Sequence, residues 1–126
     1  MTGRILGIGN DIIEIDRIKK VLERHAERFA ERILTPKELD YCLRYAHPAK
    51  HIAGRFCAKE SIAKALGIGI GRSLNWHDLE ILNDTLGKPV LSLSSRMKNL
   101  LGNGEIHLSI SHCEAYATAV ALWSEN

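Results

Sequence analysis

The chain has 126 residues, 45% of them hydrophobic, with 17 Lys and Arg against 15 Asp and Glu. That length suits one domain with an ordinary core, and a net charge of +2 is too mild for a nucleic-acid binder, which concentrates cations on one face without interleaved acids. No apolar run reaches the roughly 18 residues of a membrane span, the start MTGRILGIGND lacks a signal peptide's apolar stretch, and the three cysteines, Cys42, Cys57 and Cys113, have no zinc-knuckle spacing, which points to reduced thiols in a soluble, cytoplasmic protein.

In chain order, ILGIGNDIIEI reads as a buried strand broken by glycines and ending near Asn10 and Asp11. From Asp16 the apolar spacing turns helical, with Ile18, Val21, Leu22, His25 and Phe29 three or four apart. Thr35-Pro36-Lys37-Glu38 spells a helix start with a capping box, and a helix to about Tyr45 follows. Pro48 opens the longest helix, about 20 residues, which exits at the glycines of Gly67–Gly71. Asp78–Leu82 and Pro89–Leu93 read as strands around the turn NDTLGK, and a short helix near Arg96–Leu101 ends at GNG. Two last strands, IHLSIS and AYATAVALW, meet at a tight turn near His112–Glu114. Alternation puts Ala115, Ala117, Ala119 and Ala121 on one face of the last strand, which lets another backbone approach closely, and Tyr116, Thr118, Val120 and Leu122 on the other. A strand, then helices, then strands predicts an α+β domain with a mostly antiparallel sheet packed on the long helix.

Several constellations are candidates for chemistry. Glu60 projects roughly 40° from Phe56 around the long helix, so it shares a face with apolar residues, and Lys64 lies one turn on. An i,i+4 surface pair is the ordinary reading; a carboxylate beside Phe56 otherwise needs a cation to offset its desolvation, either Lys64 or a metal held with a second carboxylate. Asp11, at the expected strand end, is either a turn or cap aspartate or a site residue, with Gly7 and Gly9 letting a ligand approach the backbone. GIGND is no dinucleotide fingerprint, because Ile12 stands where the third glycine should fall.

In IHLSISH, His107, Ser109 and Ser111 make a polar face with one titratable group, either a solvated strand edge or part of a site. Ser111 beside His112 and Cys113 is no nucleophile elbow. His47 and His51 lie a turn apart but lack further zinc ligands at suitable spacing. Arg17, Lys19, Lys20, Arg24, Arg28 and Arg32 form a cationic helical run interleaved with Glu23, Glu27 and Glu31, which suits either a salt-bridged solvated face or an acidic protein partner.

Taken together, GIGNDIIEIDRI, AGRFCAKESIAKALGIGIG, LGKP and IHLSISHCEAYATAVAL resemble, in order and spacing, the holo-acyl-carrier-protein synthases, the small class of 4'-phosphopantetheinyl transferases. The resemblance covers nearly the whole chain. It implies transfer of the phosphopantetheine arm of coenzyme A to a serine of apo acyl carrier protein, in support of fatty acid synthesis. It further implies that Asp11 and Glu60 bind Mg²⁺, whose preference for hard oxygen ligands two carboxylates satisfy. Coenzyme A contacts fall, by the same resemblance, on Arg55, Lys64, Gly67, Lys88 and Pro89. Lys64 would also stabilise the leaving group, and the proton acceptor is left between Glu60 and His107. Arg17, Arg24 and Arg28 would dock the acidic carrier protein, and the family's homotrimers, with sites between subunits, are the implied assembly. Two rival readings share some of these residues: a non-catalytic module that docks an acidic protein, and a small nucleotide hydrolase using the same metal pair.

Overall fold

The computed structural model describes residues 3–25 and 27–126 and leaves out the side chain of Glu27, one of the interleaved acids. In chain order the elements are β1 (Arg4–Glu14), α1 (Ile15–His25), α2 (Glu27–Ile33), α3 (Pro36–Leu43), α4 (Pro48–Leu66), a 3-10 turn (Trp76–Asp78), β2 (Leu79–Asn83), β3 (Pro89–Leu93), α5 (Ser95–Leu101), β4 (Gly104–His112) and β5 (Tyr116–Glu125). Two antiparallel sheets result: β1-β5-β4, and the hairpin β2-β3. The α+β class and the sheet-on-helix layering follow the sequence expectation.

Local chemistry sets most boundaries. Thr35 Oγ1 accepts from the Glu38 N–H at 3.2 Å while Glu38 Oε1 accepts from the Thr35 N–H at 2.9 Å, so the predicted capping box starts α3. Pro48 occupies the first turn of α4, and Gly67, at φ 71°, ends it in the left-handed conformation that glycine adopts without strain. Ser94 caps α5 by accepting from the Met97 N–H at 3.2 Å.

Helix α4 is the centre of the molecule. Between Ile52 and Ala65 every residue is buried except Phe56, Glu60 and Lys64, which recur every four positions and so form one stripe toward solvent. Apolarity therefore misled about which side of this helix faces inward. The buried side is built largely of small residues, and the glycines of β1 match it. A Cβ on Gly7 would fall 1.9 Å from Ala65 O, and one on Gly9 would fall 2.1 Å from Ser61 O. These glycines admit the helix backbone, not a ligand.

Two further expectations change. Strand β1 does not stop near Asp11; it stays paired with β5 as far as Glu14 opposite Tyr116, so Asp11 sits inside the strand opposite Ala119. The alanine face of β5 does receive another backbone, but it is the chain's own: Ala117, Ala119 and Ala121 are buried on the side covered by α4. Ala115 lies before the strand and is exposed. The opposite face of the same sheet carries Ile8, Ile12 and Val120, all exposed.

Candidate active site

Strand β1 and helix α4 supply the first half of the site. Register places Asp11 on the α4 side of the sheet, and the close approach at Gly9 brings that side against the Glu60–Lys64 stripe. Asp11 is mostly buried, its backbone carbonyl accepts from Thr118 Oγ1 at 2.8 Å, and its Oδ1 takes a 3.1 Å salt bridge from Lys64 Nζ. Lys64 also donates to Asn10 O at 3.0 Å. The lysine is thus the partner of Asp11; Glu60 has no ion pair among the described residues. Burial first, and then the negative charge of Asp11, raise the Glu60 pKa above its ordinary value, with Lys64 opposing them.

Glu60 lines a cleft of about 640 Å³ with Arg32, Ile70, Gly71, Asn75, Trp76 and His77. Its far wall is the 3-10 turn, which Asp78 holds by accepting from the Asn75 N–H at 2.8 Å, from Ser94 Oγ at 2.7 Å and from Arg96. Burial alone would raise the Asp78 pKa, but those donors outweigh it and hold the carboxylate below its ordinary value. The Trp76 ring stacks on Phe56 at 5.4 Å, one turn before Glu60. Asn75, Trp76 and His77 did not stand out in the sequence, because a loop that closes a cleft carries no periodicity.

The residue before Glu60 behaves in the opposite way. Lys59 is inaccessible to solvent and donates from Nζ to Glu38 Oε1 at 2.6 Å, Ile33 O at 2.7 Å and Trp76 O at 3.0 Å. Glu38 is equally buried and accepts in turn from the Ile81 N–H at 2.8 Å. Desolvation lowers the Lys59 pKa and Glu38 partly restores it. The glutamate legible in the sequence as a helix cap is also the counter-ion of the core.

The remaining predicted residues are not gathered at Asp11. Arg55 is buried, donates to Ile81 O at 3.1 Å and Asn83 Oδ1 at 2.6 Å, and lies over the Tyr41 ring. It lines a separate pocket of about 240 Å³ with Tyr41, His51, Gly87, Pro89 and His112, next to the exposed Lys88. There His51 stacks on Tyr45 at 3.8 Å, and burial, with the charges of Arg55 and Lys50, pushes its pKa down to about 4. His107 pairs in register with Leu122, on the sheet face away from α4 and Asp11, and its Nε2 lies 3.1 Å from Ser124 Oγ. Gly67 is the helix cap itself, close to Lys64 in the chain.

Arg17, Arg24 and Arg28 are exposed, and none of them forms an ion pair among the described residues, whereas Lys20 pairs with Asp16 at 2.9 Å. Arg28 and Arg32 line a hollow of about 450 Å³ with His25 and Phe29, and Arg32 is shared with the Glu60 cleft. Cys57 lies beneath Asp11, and burial together with that carboxylate pushes its thiol up to about 12, which leaves it unreactive.

Residues 7–121 match the family described as the 4'-phosphopantetheinyl transferase superfamily. A holo-acyl-carrier-protein synthase of Protochlamydia amoebophila is 50% identical over 119 residues, covering 94% of this chain and 98% of that protein. One from Moorella thermoacetica is 48% identical, covering 94% and 93%. Among solved structures, the Bacillus anthracis holo-acyl-carrier-protein synthase in complex with coenzyme A superposes with a TM-score of 0.83 at 40% identity, covering 97% of this chain and 98% of that one. The Neisseria meningitidis enzyme gives 0.88 at 35% identity, covering 95% and 98%.

Proposed function

The chain belongs to the 4'-phosphopantetheinyl transferase superfamily, and from that premise we propose how its residues divide the family's reaction. The enzyme transfers the phosphopantetheine arm of coenzyme A to a serine of apo acyl carrier protein, giving the holo carrier and adenosine 3',5'-bisphosphate. The observation that carries the site is the juxtaposition of Asp11 and Glu60: the Glu60 pKa is raised by burial and then by the charge of Asp11, Lys64 bonds Asp11, and Glu60 opens onto a cleft. Such a pair of hard oxygen donors with excess negative charge fits Mg²⁺. A magnesium ion bound there would supply charge neutralisation and alignment for a diphosphate.

Lys64, its side chain half-exposed, leaves Asp11 for the substrate phosphates and stabilises the charge that develops on the leaving group. Of the two candidate proton acceptors, Glu60 lies in the cleft beside Asp11, whereas His107 lies on the far face of the sheet, so within one subunit Glu60 is the nearer group to take the serine proton through a water. His107, Arg55, Lys88 and Pro89 lie elsewhere in the subunit, so they serve a site only across a subunit boundary. The homotrimer, with coenzyme A held between neighbours, accommodates that separation, and the exposed Ile8, Ile12 and Val120 are apolar surface suited to such a boundary. The exposed Arg17, Arg24 and Arg28 receive the acidic carrier. Free Cys42, Cys57 and Cys113 suit a reducing cytoplasm.

Incubation of the protein with coenzyme A, Mg²⁺ and apo acyl carrier protein, followed by weighing of the carrier, tests the reading. A mass gain of one phosphopantetheine is expected; a carrier of unchanged mass leaves the docking module and the nucleotide hydrolase. Native mass spectrometry of the protein alone tests the trimer, and a monomer throughout would remove the shared site.

A further inference from the structure

Two side chains far apart in sequence serve the same helix end. The last carbonyls of α2 have no helical partners and need donors. Lys59 Nζ donates to Ile33 O at 2.7 Å and also to Trp76 O at 3.0 Å. His77 Nε2 lies 2.8 Å from Glu31 O, and because a carbonyl only accepts, that nitrogen carries the proton. Both contacts tie the Trp76–Asp78 turn to the C-terminal end of α2. An aromatic series does the same from the apolar side: Phe29 of α2 is 6.4 Å from Phe56, which stacks on Trp76 at 5.4 Å.

The two tied elements have different tasks. Helix α2 carries Arg28 and Arg32, which line the basic hollow; the turn carries Trp76 and His77, which line the Glu60 cleft. Arg32 belongs to both cavities. We infer that this clamp sets the register between the carrier-docking arginines and the Glu60 cleft, and that Lys59 and His77 are positioning residues for transfer to the carrier. The inference rests on the proposed docking along α1 and α2. A docked carrier delivers its serine to the diphosphate only if the docking helix and the cleft keep a fixed spacing, and a misplacement of about 1 Å costs on the order of 100-fold in rate.

His77 gives the cleaner test, since removing Lys59 strands a buried carboxylate. His77→Leu removes the donor, and His77→Gln restores an N–H on a side chain of similar reach. With full-length protein, coenzyme A, Mg²⁺ and apo carrier, His77→Leu should lower kcat by roughly 10-fold, with the KM for the carrier within twofold because the docking arginines remain. His77→Gln should recover most of kcat, and both variants should melt within a few degrees of wild type. The inference is overturned if His77→Leu keeps kcat, if the loss appears in KM instead, if it tracks a fall in Tm, or if glutamine gives no rescue. Hydrogen exchange reads the clamp without any substrate: amides of the Trp76–Asp78 turn should exchange several-fold faster in His77→Leu than in wild type or His77→Gln. Equal rates overturn the clamp even where the transfer itself is not observed, and a wild type that transfers nothing counts against the proposed reaction instead.

Discussion

Lys59 and Glu60 are consecutive on α4, about 100° apart around the helix, yet they enter opposite electrostatic environments. Lys59 meets one carboxylate and two carbonyls with no solvent access, and its partner Glu38 is filled by backbone donors. Glu60 meets a second carboxylate, has no ion pair among the described residues, and opens onto a cleft. The first set is balanced and saturated, so it has no capacity for a ligand and serves the fold. The second sets two carboxylates against Lys64, the one cation paired with either of them among the described residues, an excess that a cation would relieve, which is why we propose it as the site of chemistry.

The comparison breaks first at Lys59. Lys59→Met leaves Glu38 buried and unpaired, which should cost about 3–5 kcal/mol and lower Tm by roughly 10–20 °C in a thermal melt; an unchanged Tm would mean that the pair contributes no more than a surface contact. Glu60→Gln should do the reverse. Transfer falls by at least about 100-fold, while Tm in the absence of divalent cations does not fall. The sign follows from the raised pKa: the native state holds the Glu60 proton more tightly than the unfolded chain does. Stability without a cation therefore declines as pH rises from 4.5 through the raised value, and Glu60→Gln should flatten that decline. A melt series across that window in wild type and variant checks it, and identical curves would return Glu60 to an ordinary surface glutamate.

A smaller effect sharpens the geometry that joins Asp11 to Glu60. A Cβ on Gly9 meets Ser61 O and Ala65 N, both backbone, so Gly9→Ala should cost about 1–3 kcal/mol and reduce activity by separating strand from helix. Gly69, with nothing within 4 Å of its would-be Cβ, is the control: Gly69→Ala should change Tm little. Smallest is the salt response of docking. Raising ionic strength from about 0.05 to 0.5 M shortens electrostatic reach and should raise the KM for the carrier several-fold; a KM insensitive to salt would detach Arg17, Arg24 and Arg28 from recognition.

Much of this was legible in the chain itself. The capping box at Thr35–Glu38, the proline start and glycine stop of α4, and the alternation in β4 and β5 depend on neighbours within a few residues, and each is where the spacing predicted it. Asp11, Glu60 and Lys64 were legible through the four matching segments. The cleft wall at Asn75–His77 was not, since nothing local marks a turn whose role is set by packing. The split of His107 away from Asp11 was not either, because one strand's alternation does not say which face meets the helix; Arg55 lies about 140° around α4 from Glu60, but what covers that side is set by packing.

What the sequence determined by itself was therefore the inventory of elements and the identity of the charged groups. Which charges pair was decided only by the tertiary structure. Helical spacing offered Glu60 to Lys64, but Lys64 bonds Asp11, 53 residues away, and the cap glutamate Glu38 bonds Lys59, 21 residues away. The physical reason is desolvation of the carboxylates: Glu38 is fully buried and Asp11 mostly so, and each is satisfied by the lysine that the packing of α4 presses against it, so helical neighbours a few residues away lose to groups that arrive from elsewhere in the chain.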